Sequence, residues 1–210
     1  MTLIIMRSLL GSSLTFIWLF MAISSVQAQT YNKTVFDTDG QPLKADVEYY
    51  IRPAITDSGG RFTLILRNNT CPYYVGQEDS DASEGTPVIF TPFAEGETFV
   101  RELRDVKIQF TAVTFCIQSL AWKVAEMDPT TRRRLISTGE DHERYSLGNY
   151  FRIYGTDTEK VYTLNWCPGE PCPINCGLPL CGEAGPLIED GKRLVALDGS
   201  FVLPVEFQRA

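Results

Sequence analysis

Short runs in which apolar and polar residues alternate recur along most of the chain. Val47-Glu48-Tyr49-Tyr50-Ile51 and Phe62-Thr63-Leu64-Ile65-Leu66 are two, and Val106-Lys107-Ile108-Gln109-Phe110 alternates strictly. Further runs lie at Tyr150 to Tyr154, Val161 to Trp166 and Arg193 to Ala196, and Phe201, Leu203, Val205 and Phe207 alternate near the end. A period of two in β-branched and aromatic residues predicts strands with one face buried. Turn signals separate the runs: Asp39-Gly40, Ser58-Gly59-Gly60, Glu95-Gly96, Asp128-Pro129, Leu147-Gly148-Asn149, Asp190-Gly191 and Asp198-Gly199. No stretch of about a dozen residues carries an apolar stripe at helical spacing. Many short strands with regular turns predict an all-β barrel or sandwich. No Pro/Gly/Ser-rich linker interrupts them, so one domain is expected. Aromatic-rich strands near Tyr49, Phe110 and Tyr150 recur roughly every 60 residues, a weak internal repeat.

The first 28 residues break this pattern. They carry one basic residue, Arg7, no acid, and an apolar stretch from Leu9 to Ile23, then small residues ending Val26-Gln27-Ala28. This is the layout of a secretory signal peptide with cleavage after Ala28. The stretch is short for a membrane span, which wants about 20 apolar residues, and Gly11, Ser12 and Ser13 interrupt it. The division expected is a leader over residues 1–28 and one folded domain over residues 29–210, with no membrane contact after the leader is removed.

Export gives the cysteines their meaning. All six, Cys71, Cys116, Cys167, Cys172, Cys176 and Cys181, follow the leader, and an even number in an oxidising compartment reads as three disulfides. Spacing alone leaves the pairing open. Zinc held by the last four is the rival reading, but their spacing lacks the close pairs of structural zinc sites. Two Asn-x-Ser/Thr sequons, at Asn32 and Asn68, become candidate glycosylation sites.

Charge and composition exclude other classes. The formal net charge is −7, and losing Arg7 with the leader makes it −8, which argues against nucleic acid as a partner. One histidine, His142, is the whole supply. No nucleophile–base–orienter set can be assembled around it, so no catalytic residues, metal or cofactor are assigned. Arg132-Arg133-Arg134 is the only basic run and reads as a solvated hairpin tip, with a second protease-contact loop as the sharper alternative. Glu78-Asp79-Ser80-Asp81 with Glu84 reads as an acidic loop, since its spacing matches no calcium loop. Trp122 and Trp166 read as core, with stacking on a ligand as the alternative.

The order of motifs is more specific than any of these. Val35-Phe36-Asp37-Thr38-Asp39-Gly40-Gln41-Pro42-Leu43 precedes Val47-Glu48-Tyr49-Tyr50-Ile51. Then come Gly85-Thr86-Pro87-Val88, Val106 to Phe110 before Cys116, Trp122-Lys123-Val124 and Tyr150-Phe151-Arg152-Ile153. The series ends with Tyr162-Thr163-Leu164-Asn165-Trp166-Cys167-Pro168, Cys181-Gly182 and Lys192 to Leu197. Over residues 31–209 this series resembles the plant Kunitz (soybean trypsin inhibitor) family, and the six-cysteine tail resembles its miraculin-like branch. The resemblance implies a β-trefoil: twelve strands in three pseudo-equivalent units around a small barrel. It also implies the pairings Cys71–Cys116, Cys167–Cys181 and Cys172–Cys176, and a secreted inhibitor of an endopeptidase, serine-type first, cysteine or aspartic second.

The family's inhibitory loop maps onto Thr91-Pro92-Phe93-Ala94-Glu95-Gly96-Glu97. The residue that fills the protease's primary pocket falls on Ala94; a register shift of one would place Phe93 there. Neither is basic, and a basic residue is what the acidic pocket of trypsin takes. A scaffold asparagine that supports the loop elsewhere in the family is Ala45 here. Weak trypsin inhibition is therefore expected. The alternative from another class is a trefoil binding protein without inhibitory action, such as a ligand-binding, taste-active or storage relative.

Overall fold

In the computed structural model, which describes residues 33–141, 146–172 and 180–210, the alternating runs become strands with alternating burial. The elements are β1 (Tyr49–Pro53), β2 (Phe62–Ile65), β3 (Tyr74–Gln77), β4 (Val88–Pro92), β5 (Val106–Phe110), β6 (Trp122–Met127) and β7 (Arg134–Thr138). They continue with β8 (Arg152–Gly155), β9 (Tyr162–Trp166), β10 (Gly182–Glu183), β11 (Gly185–Glu189), β12 (Lys192–Ala196) and β13 (Val205–Arg209). One 3-10 turn, Leu147–Asn149, is the only helical element among the described residues. The thirteen strands contain the expected twelve. Ala184 alone separates β10 from β11, and there one run leaves β9 as its partner and takes up β12.

Six strands close a barrel. Neighbours run β9–β13–β1–β4–β5, and β8 pairs with β9. Phe151, just ahead of β8, completes the ring by exchanging backbone hydrogen bonds of 2.9 Å in both directions with Val106. Closure removes the free sheet edges that would otherwise invite pairing with other chains. The inward positions are those the alternation marks: Tyr49 and Ile51, Val88 and Phe90, Val106, Ile108 and Phe110, Ile153, Leu164, Val205 and Phe207 are all buried.

The other strands form three hairpins, β2–β3, β6–β7 and β11–β12, which cap one end of the barrel. They join one another in a triangle through Tyr74–Ser137, Ala196–Leu135 and Leu194–Gly76. One barrel pair and one hairpin per third of the chain is the β-trefoil plan. Alternation misses two of the three strands at the triangle's centre, β3 and β7, along with β4, β6 and β11. β3 and β7 are buried on both faces along most of their length, so no polar side remains to mark them. Trp122 joins the two layers. It is fully buried, with ring centroids of Phe62, Phe110 and Phe151 at 5.9, 5.6 and 5.8 Å.

The predicted turns do what their residues allow. Asp190 and Gly191 both take positive φ, 49° and 74°, between the paired residues Glu189 and Lys192. That is the two-residue hairpin turn whose twist matches its strands. Disulfides pin the outer loops. Cys71 is joined to Cys116, 45 residues on, a closure worth roughly 4 kcal/mol by loop entropy. Cys167 is joined to Cys181, and Cys172 is also disulfide-bonded. Cys176 lies outside the described residues.

The three hairpin tips are tied by one side chain. Arg67, in the β2–β3 turn, donates to Glu189 at 2.5 and 2.6 Å and to Asp128, in the β6–β7 turn, at 2.7 Å. Thr131 N–H and then Arg67 hold the Asp128 carboxyl down at about 2, and Arg67 lowers Glu189. Both folded values lie below the unfolded ones near 4. The stabilisation is therefore complete above about pH 4 and is lost as pH falls through the folded values. Replacing Arg67 by Met is expected to flatten the loss of stability between pH 4 and 2. Some slope should remain, because Thr131 still supports Asp128. Urea denaturation at pH 7, 4 and 2.5 measures it, and parallel pH profiles for variant and parent would count against the role of the cluster.

Candidate functional site

The segment read as the inhibitory loop is where β4 gives way to a turn. Thr91 and Pro92 are the last residues of β4 and face Lys107 and Val106 of β5. The next rung is a single bond, Phe93 N–H to the Asp105 carbonyl at 2.9 Å. Residues 94–97 then turn back, with Glu97 N–H donating to the Ala94 carbonyl at 3.4 Å. Gly96 has φ +81°, a conformation that favours glycine, and Glu95 and Gly96 form an exposed tip. The chain returns alongside residues 34–44, which the Phe36–Pro42 bridge folds back on themselves, through the bridges Lys44–Phe99 and Thr34–Arg101.

Both flanks are anchored. Thr91 donates its hydroxyl to the Asp46 carboxylate at 2.9 Å, and Asp46 N–H donates to the Phe90 carbonyl at 3.0 Å. Ala45, whose methyl group cannot hydrogen-bond to the loop, still donates its N–H to the Thr98 carbonyl at 2.9 Å. The Phe93 ring packs edge-on against Tyr150, with centroids 5.2 Å apart. On the far side the Glu97 carboxylate accepts from Arg101 at 3.3 Å and lies 3.9 Å from Arg104.

Beneath the loop lies a charged brace. The Asp105 carboxylate, with no solvent exposure, accepts from Arg152 at 2.7 and 3.1 Å and from the N–H groups of Gly169 and Glu170 at 2.8 and 2.5 Å. Glu170 in turn accepts from Arg104 at 2.5 Å, which raises the Arg104 guanidinium above its ordinary value. The segment after Cys167 is thus tied to Asp105, the residue whose carbonyl receives Phe93 N–H. The sequence reading missed Asp46, Asp105, Arg104 and Glu170. Asp46 is 45 residues from Thr91 and Asp105 is 47 from Arg152, and no local spacing marks either pair.

The remaining candidates fall elsewhere. The basic run is not a solvated tip. Only Arg132 is exposed, while the Arg133 guanidinium donates to the carbonyls of Leu197, Pro186 and Ala196, each at 2.8 Å. Arg134 pairs with Asp198 at 2.5 and 2.6 Å and lies 4.9 Å over the Trp166 ring. Carbonyls at the end of β12 and on β11 draw in Arg133, while Asp198 and the Leu180 and Cys181 carbonyls hold Arg134. Trp166 donates its indole N–H to the Leu147 carbonyl at 2.9 Å. The acidic stretch is a loop, and among the described residues no group of three or more His, Cys, Asp or Glu is placed to hold a metal. Asn68 is exposed in the β2–β3 turn. Asn32 and His142 lie outside the described residues. No helix among the described residues is long and apolar enough to cross a membrane.

A barrel capped by three hairpins, with one braced turn between β4 and β5, now stands beside the motif order. The family model described as trypsin and protease inhibitor of the legume Kunitz type matches residues 35–209. The chain belongs to the Kunitz family. Among relatives, it is 44% identical over 205 residues to Kunitz type trypsin inhibitor 104 of Medicago truncatula, covering 97% of this chain and 98% of that one. Among solved structures, it is similar to the Kunitz-type cysteine protease inhibitor PCPI-3 from potato, with TM-score 0.70, 33% identity and coverage of 85% and 98%. Soybean trypsin inhibitor shares the fold, with TM-score 0.68, 23% identity and coverage of 85% of this chain and 100% of that one. The Kunitz relatives are named as inhibitors of proteases, and none of these three names describes an enzyme.

Proposed function

We propose that this Kunitz protein is a secreted inhibitor of an endopeptidase other than trypsin, that it binds through residues 91–97, and that it performs no catalysis of its own. The observation that carries the reading is the exposed turn at Glu95 and Gly96 between two anchored flanks. A stiff loop loses little entropy on entering a protease cleft. If the protease adds water across the peptide bond, Phe93 and Glu97 stay held on the scaffold, and rejoining of the ends competes with release.

Target choice follows from side chains. Ala94 offers trypsin's acidic pocket no cation, and Glu95 and Glu97 add repulsion. A small side chain suits an elastase-like pocket. The serine class leads because of the Medicago relative's name, and the potato relative's name makes a cysteine protease the second candidate. The leader over residues 1–28 is removed on export, the third bridge is Cys172–Cys176, and Asn32 and Asn68 are candidate glycan sites. A mature protein beginning at Gln29 by N-terminal sequencing fits this.

The test is a protease panel with the mature, oxidised protein, repeated with Ala94→Arg. The parent is expected to leave trypsin active at equimolar, nanomolar concentration. Restoring the ion pair in the pocket should raise trypsin affinity by roughly a hundredfold. Tight trypsin inhibition by the parent, or no gain from Ala94→Arg, would overturn the reading.

A further inference from the structure

Phe93 stands next to Ala94 and is the larger and more apolar of the two, yet its side chain is already engaged. Across the β4–β5 pair Thr91 faces Lys107, and Tyr150 reaches both Lys107 and Phe93. The Phe93 and Tyr150 rings meet at 86° with centroids 5.2 Å apart. In that geometry the positive rim of one ring meets the negative face of the other. The Lys107 ammonium lies 5.4 Å from the Tyr150 centroid, close enough to be attracted to the ring, and pairs with Glu140.

Tyr150 is a fixed seat, itself only 7% exposed. Before it in the chain, the buried Asn149 side chain donates to the Trp122 and Gly139 carbonyls at 2.8 Å and accepts from Asp141 N–H at 3.2 Å. After it, Phe151 exchanges backbone bonds with Val106 at 2.9 Å. A ring held between two such neighbours preorganises what packs on it. Ala94 has only a methyl group beyond its backbone, and its carbonyl closes the turn by accepting from Glu97 N–H at 3.4 Å. A primary pocket that took Phe93 would first pull the ring off Tyr150. That gives up a contact worth a factor of about two to ten and uncovers apolar surface on Tyr150. A pocket that takes Ala94 leaves the contact whole.

We propose that Phe93 is a positioning residue and not the one offered to the protease: seated on Tyr150, it holds the loop in the register that presents Ala94. The proposal rests on the reading of residues 91–97 as the inhibitory loop. It brings Tyr150, which lies outside that loop, into the set of residues that fix specificity. It also makes an enzyme with a small primary pocket the target in spite of the aromatic side chain beside Ala94. Loss of the seat frees the loop to take shapes that do not fit a cleft, so the effect falls on dissociation.

The test uses the mature, oxidised protein with trypsin as the probe, because a basic residue reports which position the pocket takes. Ala94→Arg and Phe93→Arg are first compared singly. Trypsin is expected to bind Ala94→Arg and to bind Phe93→Arg at least tenfold more weakly. Binding of Phe93→Arg within tenfold of Ala94→Arg, or tighter, would put residue 93 in the pocket and overturn this proposal while the loop reading stands. If neither variant binds trypsin, the loop reading fails and this proposal fails with it. Phe93→Leu is then measured in the Ala94→Arg protein with and without Tyr150→Leu. It is expected to quicken trypsin dissociation at least twofold more when Tyr150 is present than when Tyr150 is replaced. A smaller difference would mean that Phe93 acts by touching the protease and not through Tyr150, and would overturn the positioning role. Tyr150→Met takes the place of Tyr150→Leu if thermal melts show the latter unfolded at the assay temperature, and the two arginine variants need no change at Tyr150.

Discussion

Replacing Trp122 by alanine is expected to remove about 3–5 kcal/mol of folding stability and to lower the melting temperature by about 10 °C. The residue lies between the barrel wall and the hairpin cap. Phe110 and Phe151 come from the wall and Phe62 from the first hairpin, and all three rings lie within 6 Å of the indole. Those neighbours sit on closed, paired strands, so they cannot collapse into the space the indole leaves. The cost should therefore lie at the upper end for a large-to-small change. Against a total of about 5–15 kcal/mol, this is a large fraction. Trp122→Phe separates packing from polarity. Among the described residues the buried indole N–H has no acceptor. The phenylalanine variant loses volume but no satisfied hydrogen bond, so it should cost clearly less than alanine. Guanidinium denaturation of the three proteins decides the matter. Equal losses for Phe and Ala would show that the indole's shape alone is being read.

The barrel was legible in the sequence because its strands have one wet face and one dry face. β5 is the plainest case. Val106, Ile108 and Phe110 are buried, Lys107 and Gln109 are not, and the strand has the bounds the alternation predicts. The cap was less legible for the opposite reason. In β7, four of five residues are buried, and a polar residue such as Ser137 is inside because the triangle of hairpins covers it. Alternation also overran the last strand. Phe201 and Leu203 continue its rhythm but precede it, and Pro204, which has no N–H to give a ladder, stands immediately before β13.

The candidate site divides the same way. Its position along the chain could be read from Thr91-Pro92 and the Glu95-Gly96 turn. What stiffens it could not, because the braces are long-range pairs: Asp46 with Thr91, Asp105 with Arg152, Arg104 with Glu170. The basic run shows the same limit from the other side. Three consecutive arginines look solvated in sequence, yet Arg133 is drawn in by backbone carbonyls that only the folded β12 and its neighbour assemble at one point.

Asp105 is where stability and inhibition meet, and Asp105→Ala is expected to damage both. Its carboxylate, which has no solvent exposure, neutralises Arg152 and accepts two backbone N–H groups from the segment after Cys167. Removing one partner of a buried ion pair leaves the other charge uncompensated, which costs about 3–5 kcal/mol when burial is complete. Arg152 keeps 21% side-chain exposure, so about 3 kcal/mol is the better figure here. The backbone of the same residue receives Phe93 N–H, the bond that fixes where the candidate loop leaves the barrel. Loosening residue 105 should free the loop to sample shapes that do not fit a cleft. Dissociation from the target protease should then quicken by tenfold or more, while association changes little. Arg152→Met provides the control. It breaks the same ion pair but leaves the Asp105 carboxylate on Gly169 and Glu170, so it should lose stability with a smaller effect on dissociation. Both variants are compared with the parent at a temperature where circular dichroism shows all three folded. If Asp105→Ala lowers the denaturation midpoint yet dissociates from protease at the parent's rate, the loop does not depend on this brace. Its rigidity would then have to come from the Asp46–Thr91 bond and the Phe93–Tyr150 contact alone.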